Sequence, residues 1–364
     1  MAKQKTVLLG MSGGVDSSVA ALLLQKKGYK VLGAFMINFS ETKNKLTNEC
    51  SWVQERKDAQ KIASQLNIPL INLNFEKQYK KQVLNPMFEA YKKGLTPNPD
   101  SLCNKIIKFP LLWQEAKKRN MDFIATGHYI KKVKKNNQYY IKIPKDKNKD
   151  QSYFLYDLTQ FDLRHTLFPI ADYKKEEVRK LAKKNKFHNA QKHGTRGICF
   201  VGKIPMKSFL QQKIKQKDGK IIDDKARVIG THKGVMFYTI GERIREDQNT
   251  AIRSEVRNKE GKLYVAQKNK TTNTILAVPE NHPSLYKSQF SLINTNFINK
   301  VKFPITNAKV RIRHLGELHP ASIIKQGNKI QVILKKPIKS VAEGQSCVIY
   351  KKDFILAGGE IRYV

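Results

Sequence analysis

Between an apolar stretch, Thr6 to Gly10, and a helix-like one from about Ser17 to Lys27 stands the run Ser12-Gly13-Gly14-Val15-Asp16-Ser17-Ser18. Two adjacent glycines let backbone amides turn towards one point. The helix that follows adds partial positive charge and the hydroxyls of Ser17 and Ser18, so phosphates fit this junction. A loop that cleaves a γ-phosphate would end in Gly-Lys-Ser/Thr, and a dinucleotide loop would read Gly-x-Gly-x-x-Gly; neither occurs here.

Two cysteines stand in settings that can make a thiol reactive. Cys103 follows Thr96-Pro97-Asn98-Pro99-Asp100-Ser101-Leu102, where prolines interrupt regular structure, and precedes Asn104 to Phe109, which reads as the first turns of a helix. A thiol at a helix N-terminus, with Lys105 and Lys108 near, has its pKa drawn from about 8.5 towards 7 or below. Cys199 lies between Gly197 and Gly202, at a junction of two segment types. Local sequence leaves Cys103 open between reactive thiol and small apolar side chain, and favours a core residue for Cys199.

The elements that must position these residues follow from periodicity. Strands at Thr6 to Gly10, Lys30 to Met36, Pro69 to Leu73 and Asp122 to Thr126 alternate with helices over Ser17 to Lys27, Val53 to Leu66, Tyr79 to Lys92 and Lys105 to Arg119, the rhythm of a parallel sheet. Lys131 to Ile143 reads as a hairpin turning at Asn136-Asn137, and Asp172 opens a helix over Lys174 to Asn185. Beyond Gly197 the segments shorten, with turn signals at Asp218-Gly219, Gly230, Gly241 and Glu260-Gly261. From about Phe290 they alternate apolar and polar as a small closed or sandwiched β domain does. The fold class is α/β, a doubly wound parallel-sheet domain (1–198), a small central domain (199–288) and a C-terminal β-barrel-like domain (289–364).

The chain has 364 residues, too many for one core, and a formal charge of +39 from 69 Lys+Arg against 30 Asp+Glu. Such a charge draws polyanions, nucleic acid above all, although half of it is credited to a compositional bias towards lysine. No apolar run reaches the roughly 20 residues of a membrane span, mean hydropathy is −0.53, and no secretory leader precedes the first strand, so the expected location is the cytoplasm. The four cysteines are too far apart in sequence for a zinc site.

The glycine run resembles that of the pyrophosphate-loop ATPases, which adenylate an oxygen and release pyrophosphate. Taken in order, SGGVDSS, TPNPDSLCN, IKF, ATGHY, KDQSYFL, FP, EVR and GICFVG resemble the tRNA-specific 2-thiouridylases along nearly the whole chain. The resemblance implies ATP held by Gly10, Met11, Ser12, Gly13, Gly14, Val15, Asp16 and Ser17, with Met36 at the adenine and Gly127 a further contact, and magnesium on Asp16. It makes Cys103 the nucleophile that releases sulfur and Cys199 the persulfide carrier. Asn98, Pro99 and Asp100 would meet the target base, with Asp100 an acid/base. His128, Lys149, Asp150 and Gln151 would contact tRNA, as would Arg313, His314 and Gln345. Departures from the family pattern fall at His193-Gly194-Thr195-Arg196, at Gly241 to Thr250, where Glu242 stands for a glutamine, and at His314, which stands for a tyrosine.

By this resemblance the reaction is ATP-dependent 2-thiolation of the wobble uridine in the tRNAs for lysine, glutamate and glutamine. The 2-carbonyl oxygen is a poor leaving group until adenylated, and AMP then departs in its place. Sulfur comes either by direct attack of the Cys199 persulfide or after Cys103 liberates hydrosulfide and forms a disulfide with Cys199. Both routes need an upstream sulfur donor, a cysteine desulfurase or relay carrier, and a reductant. The competing readings are a small-molecule pyrophosphate-loop synthetase, which needs neither cysteine, and an RNA-binding relative without catalysis, which needs no intact SGGVDSS.

Overall fold

The computed structural model of the chain describes residues 3–41, 50–192, 205–327 and 329–363. In chain order, β1 (Thr6–Gly10), α1 (Val15–Lys26), β2 (Lys30–Ile37), α2 (Ser51–Gln65) and β3 (Leu70–Asn74) are followed by α3 (Glu76–Tyr79), α4 (Asn85–Lys92), α5 (Pro99–Cys103), α6 (Phe109–Lys118) and β4 (Phe123–Ala125). The hairpin β5 (Lys131–Lys135) and β6 (Gln138–Lys142) comes next, then α7 (Gln160–His165), β7 (Thr166–Leu167) and α8 (Lys175–Lys184). Five strands pair in parallel in the order β3-β2-β1-β4-β7. Val7, Leu8 and Leu9 of β1 are wholly buried, as the apolar run of a strand covered on both faces requires. Helix α1 is apolar almost all round, from Val19 to Leu24, so it too must be covered on every side; α8 packs against it. The strand order reverses at β1, with β2 on one side and β4 on the other. That reversal opens a crevice at the strands' C-terminal ends, where α/β sheets bind ligands.

Three local expectations change. The helix expected from Asn104 begins earlier, at Pro99, because the Asn98 side chain caps it by accepting from the Ser101 amide at 3.2 Å. A π-helical turn, Asn104–Lys108, then joins α5 to α6. Helix α8 is capped at Lys174, whose amide donates to Glu177 at 2.5 Å. Asp172, expected to open that helix, pairs with Lys131 at 2.6 Å. The hairpin turn is as expected: Asn136 and Asn137 take φ of 46° and 58°, the paired left-handed residues of a two-residue turn.

The central segment contains α9 (Met206–Gln211), β8 (Gly219–Ile222), β9 (Val228–His232), β10 (Thr250–Ile252), α10 (Ser254–Glu260), β11 (Leu263–Asn269) and β12 (Thr274–Pro279). Its strands form one sheet in the order β10-β9-β8-β12-β11. Gly230, expected at a turn, lies inside β9. The C-terminal strands are β13 (Tyr286–Phe297), β14 (Ile305–Arg311), β15 (His319–Gln326), β16 (Lys329–Lys339), β17 (Ser346–Lys351) and β18 (Phe354–Arg362). They run β13-β16-β15-β14-β17-β18, and β18 pairs back onto β13, closing a six-stranded barrel. The boundary expected at 288/289 falls inside β13, and the one at 198/199 lies outside the described residues.

The hairpin β5-β6 does not stay with the parallel sheet. Lys142 and Ile141 of β6 pair with Phe354 and Ile355 of β18, so the first and last domains share an extended sheet. The seam also holds a buried ion pair: Asp150, fully buried, accepts from Arg311 Nη1 at 2.7 Å and from the Ser152 amide at 2.9 Å. No helix among the described residues is long and apolar enough to cross a membrane. Removing one partner of a buried pair strands the other charge, so Asp150→Ala should cost about 3–5 kcal/mol. Glu41→Ala, at the exposed pair with Lys80, should change stability by no more than about 1 kcal/mol. Urea unfolding of the two variants checks this; equal midpoints would contradict it.

Candidate functional site

The glycine run turns at the C-terminal end of β1 into the first turn of α1. Gly13 has φ +71°, and a Cβ there would lie 2.1 Å from the Glu55 carbonyl oxygen of α2. A Cβ on Gly127, just after β4, would lie 2.9 Å from the Asp16 carbonyl carbon and the Ser17 amide. Glycine at both positions therefore lets three segments meet over one helix end. The serine hydroxyls expected at the phosphates work within the loop instead. Ser17 Oγ donates to the Gly14 carbonyl at 3.0 Å and accepts from the Ser12 amide at 3.2 Å, and Ser18 Oγ also donates to Gly14 at 3.0 Å. Asn189 clamps the loop, its amide donating to the Gly13 carbonyl at 3.0 Å and to Ser18 Oγ at 2.9 Å. What faces a ligand is the α1 N-terminus, whose first amides have no carbonyl one turn back. Met36 is buried against Gly10, where a Cβ would be 3.3 Å from its methyl, so Gly10 makes room for the thioether.

Asp16 is already engaged. Lys175, from the start of α8, places Nζ 2.6 and 2.7 Å from its two oxygens, and the Tyr129 hydroxyl donates to it at 2.8 Å. Burial first, and then the Asp16 charge, push the Tyr129 phenol far up, so it stays a donor. Among the described residues no three His, Cys, Asp or Glu side chains come together as a metal site. A magnesium ion fits here only as one carried by phosphate oxygens, with Asp16 as its single protein carboxylate.

Cys103 ends α5, is wholly buried, and lies a full turn inside the helix rather than at its start. Lys105 turns away to Asp157 at 2.8 Å. Lys108 turns the other way, its Nζ 3.5 Å from His128 Nε2. An ammonium can only donate, so Nε2 accepts and Nδ1 carries the proton towards Thr126 Oγ1 at 2.9 Å. The His128 ring stacks on Phe109, centroids 5.8 Å apart. The loop before Cys103 rests on the barrel: Thr96 donates its amide to the Glu343 carbonyl at 2.8 Å, and the Asn98 side chain donates to Ser346 Oγ at 3.1 Å. A cleft of about 150 Å³ runs along this seam beside Asn98, Pro99, Tyr156 and Ser346.

The residues expected at tRNA form a band around that loop. Gln151 is bound to Tyr129, next to His128, by a backbone bond at 3.1 Å and a side-chain bond at 2.9 Å. His314 Nε2 bonds the Asp150 carbonyl at 2.9 Å, with its ring 4.4 Å from that of Phe154. Gln345 adjoins Ser346. Lys149 and Arg313 are exposed. Asp150 differs: its carboxylate is buried on Arg311, so it holds the band together from beneath. Cys199, with His193 to Arg196, lies outside the described residues. Glu242 caps its own turn by accepting from the Thr239 amide at 2.9 Å. Cys347 is buried, which pushes its thiol far up, and Cys50 donates to the Ser40 carbonyl at 3.1 Å.

Three family models match in succession: a tRNA methyl transferase HUP domain over residues 5–203, a tRNA methyl transferase PRC-barrel domain over 207–279 and an aminomethyltransferase beta-barrel domain over 287–361. The chain is 39% identical over 363 residues to the tRNA-specific 2-thiouridylase MnmA 1 of Geobacillus kaustophilus (strain HTA426), covering 99% of this chain and 96% of the relative. It is 39% identical over 362 residues to the tRNA-specific 2-thiouridylase MnmA of Chlamydia trachomatis serovar D, covering 98% of each. The chain belongs to the tRNA-specific 2-thiouridylase family. The methyl transferase wording of the domain models and the thiouridylase names of the relatives disagree, and it is the relatives that match over nearly the full chain. A solved 4-thiouridine synthetase in complex with RNA and ATP overlaps 57% of this chain and 50% of its own at a TM-score of 0.36 and 16% identity, too distant to carry any argument.

Sequence reasoning missed Lys175, Tyr129, Asn189 and Ser346 in this site. Only Tyr129 gave a local signal, as the last residue of ATGHY. Burial, and then the Lys108 charge, hold the His128 imidazole well below its ordinary value near 6.5. The unfolded chain therefore takes up a proton that the folded one refuses, and stability falls as pH drops below about 6.5 towards the depressed value. His128→Gln should flatten that fall. Unfolding free energies of both proteins at pH 7.5 and 5.5 check this; an unchanged pH slope would contradict it.

Proposed function

We propose that this member of the family 2-thiolates the wobble uridine of tRNA, consuming ATP and releasing AMP and pyrophosphate. The observation that carries the reading is the Gly127-His128 pair, which ties two chemistries together. Gly127 lies over the first turn of α1, and His128 meets Lys108 and Phe109 on the helix run that bears Cys103. A phosphate held at α1 and a base held at Asn98, Pro99 and Asp100 would thus share one crevice.

In that crevice the α1 amides, with the loop clamped by Asn189, hold the triphosphate so that the base's 2-oxygen can take the adenylyl group. Magnesium, held by the phosphates and Asp16, supplies charge neutralisation when bound. Neutral His128, its Nε2 accepting from Lys108, would present its ring beside the base, and Asp100 would shuttle the proton. The terminal sulfur of a Cys199 persulfide replaces AMP at C2. By either route the persulfide S–S bond of Cys199 breaks and its outer sulfur goes to C2 as the C2–O bond to AMP breaks, while the Cys103 and Cys199 sulfurs end joined in a disulfide. An external thiol must then return two electrons. A fully buried Cys103 suits this, since it can react only with a partner brought into the site. An unpaired base in an anticodon loop reaches such a pocket at modest cost. Exposed Lys149 and Arg313, with His128, Gln151, His314 and Gln345, would meet the surrounding RNA.

Incubation of tRNA with protein, ATP, magnesium and a persulfide donor, followed by nucleoside mass spectrometry, should give 2-thiouridine. Cys199→Ser should abolish it while tRNA binding survives, because a hydroxyl holds no transferable sulfur. Cys103→Ser should leave Cys199 able to take up sulfur, seen by persulfide labelling, yet yield no product. Product from Cys199→Ser would overturn the carrier assignment.

A further inference from the structure

We propose that Lys175 is the cation of the phosphate site, supplied from α8 because the glycine loop has none of its own. The inference rests on the nucleotide reading above. SGGVDSS contains no lysine, so its amides and the helix end provide only partial charges against a triphosphate. Lys175 enters from a different element and puts Nζ within 2.7 Å of both Asp16 oxygens, on the turn where phosphate would dock. Its side chain is only 16% exposed and that of Asp16 32%, so the pair sits inside the crevice.

The arrangement suits movement of the side chain alone. The Lys175 backbone is fixed, its amide donating to Asp146 at 2.8 Å, and Glu177 caps the residue before it. Four methylenes remain to carry the ammonium over the α1 N-terminus. Without nucleotide, Asp16 occupies the favourable end of the helix dipole as an internal anion and Lys175 neutralises it. A polyphosphate brings stronger anionic oxygens to the same place, and Lys175 then bonds phosphate while Tyr129 keeps hold of Asp16. A lysine that merely neutralised Asp16 would become dispensable once that charge was removed, whereas one that binds phosphate would not.

Calorimetric titration of ATP into the full chain separates the two roles. Wild type should bind ATP with magnesium. In EDTA, Asp16→Asn should bind ATP at least as tightly as wild type. Adding Lys175→Gln to Asp16→Asn should weaken binding about ten- to a hundred-fold, the size of a charge-assisted bond, with Lys175→Arg recovering most of it. Equal affinities of Asp16→Asn and the double variant would overturn the proposal and leave the nucleotide reading standing. A wild type that binds no ATP with magnesium would overturn both. If the double variant fails to fold, amine-reactive labelling of the wild type, read by peptide mass spectrometry, replaces it. ATP should protect Lys175, and labelling unchanged by saturating ATP would contradict the proposal.

Discussion

The buried ion pair between Asp150 and Arg311 is the interaction on which the geometry of the site depends. Taking two charges out of water is expensive, and their attraction offsets this only when the remaining bonds are satisfied. Here Asp150 also accepts from Ser152, and its carbonyl meets His314. The pair sits where the parallel-sheet domain and the barrel touch, and together with the β6-β18 pairing it joins them. With that seam set, Glu343 and Ser346 of the barrel reach the Thr96–Asn98 loop. The segment leading to Cys103 is therefore shaped by two domains at once. A change in the barrel would be felt at the cysteine without altering any residue that touches substrate.

The chemistry divides along the same seam. The parallel sheet supplies the helix end and the glycines, a proposed phosphate site made mostly of backbone, in which the Lys175 side chain alone would move to meet charge. The loop against the barrel carries Asn98, Pro99 and Asp100, proposed to meet the base, and leads into Cys103, which is wholly buried. A thiol without access to solvent is protected from idle oxidation and reacts only when another sulfur is brought to it.

The parts legible in the sequence are those set by local geometry. A strand, two glycines and a helix determine the phosphate junction, and two consecutive asparagines determine the β5-β6 turn. What escaped reading are contacts between residues remote in the chain. Lys175 meets Asp16 across 159 residues, Arg311 meets Asp150 across 161, and Ser346 meets Asn98 across 248. Nothing in the sequence near Lys175 distinguishes it from its many exposed neighbours. The partner of the hairpin escaped for a related reason: its alternation requires a partner edge but does not say which. The family resemblance put Asp150 among the RNA contacts, and nothing near it in the sequence says that its carboxylate is buried on a distant arginine.

The central claim is that the base's own 2-oxygen is activated by ATP and leaves as part of AMP, with sulfur taking its place. The most direct measurement follows that oxygen. A tRNA carrying heavy oxygen at C2 of the target uridine is incubated with the chain, ATP, magnesium and a persulfide donor, and the nucleotide products are weighed. The account predicts one heavy oxygen in AMP for each 2-thiouridine formed, with unlabelled pyrophosphate. ADP and labelled phosphate as the products, or AMP without the heavy oxygen, would contradict it.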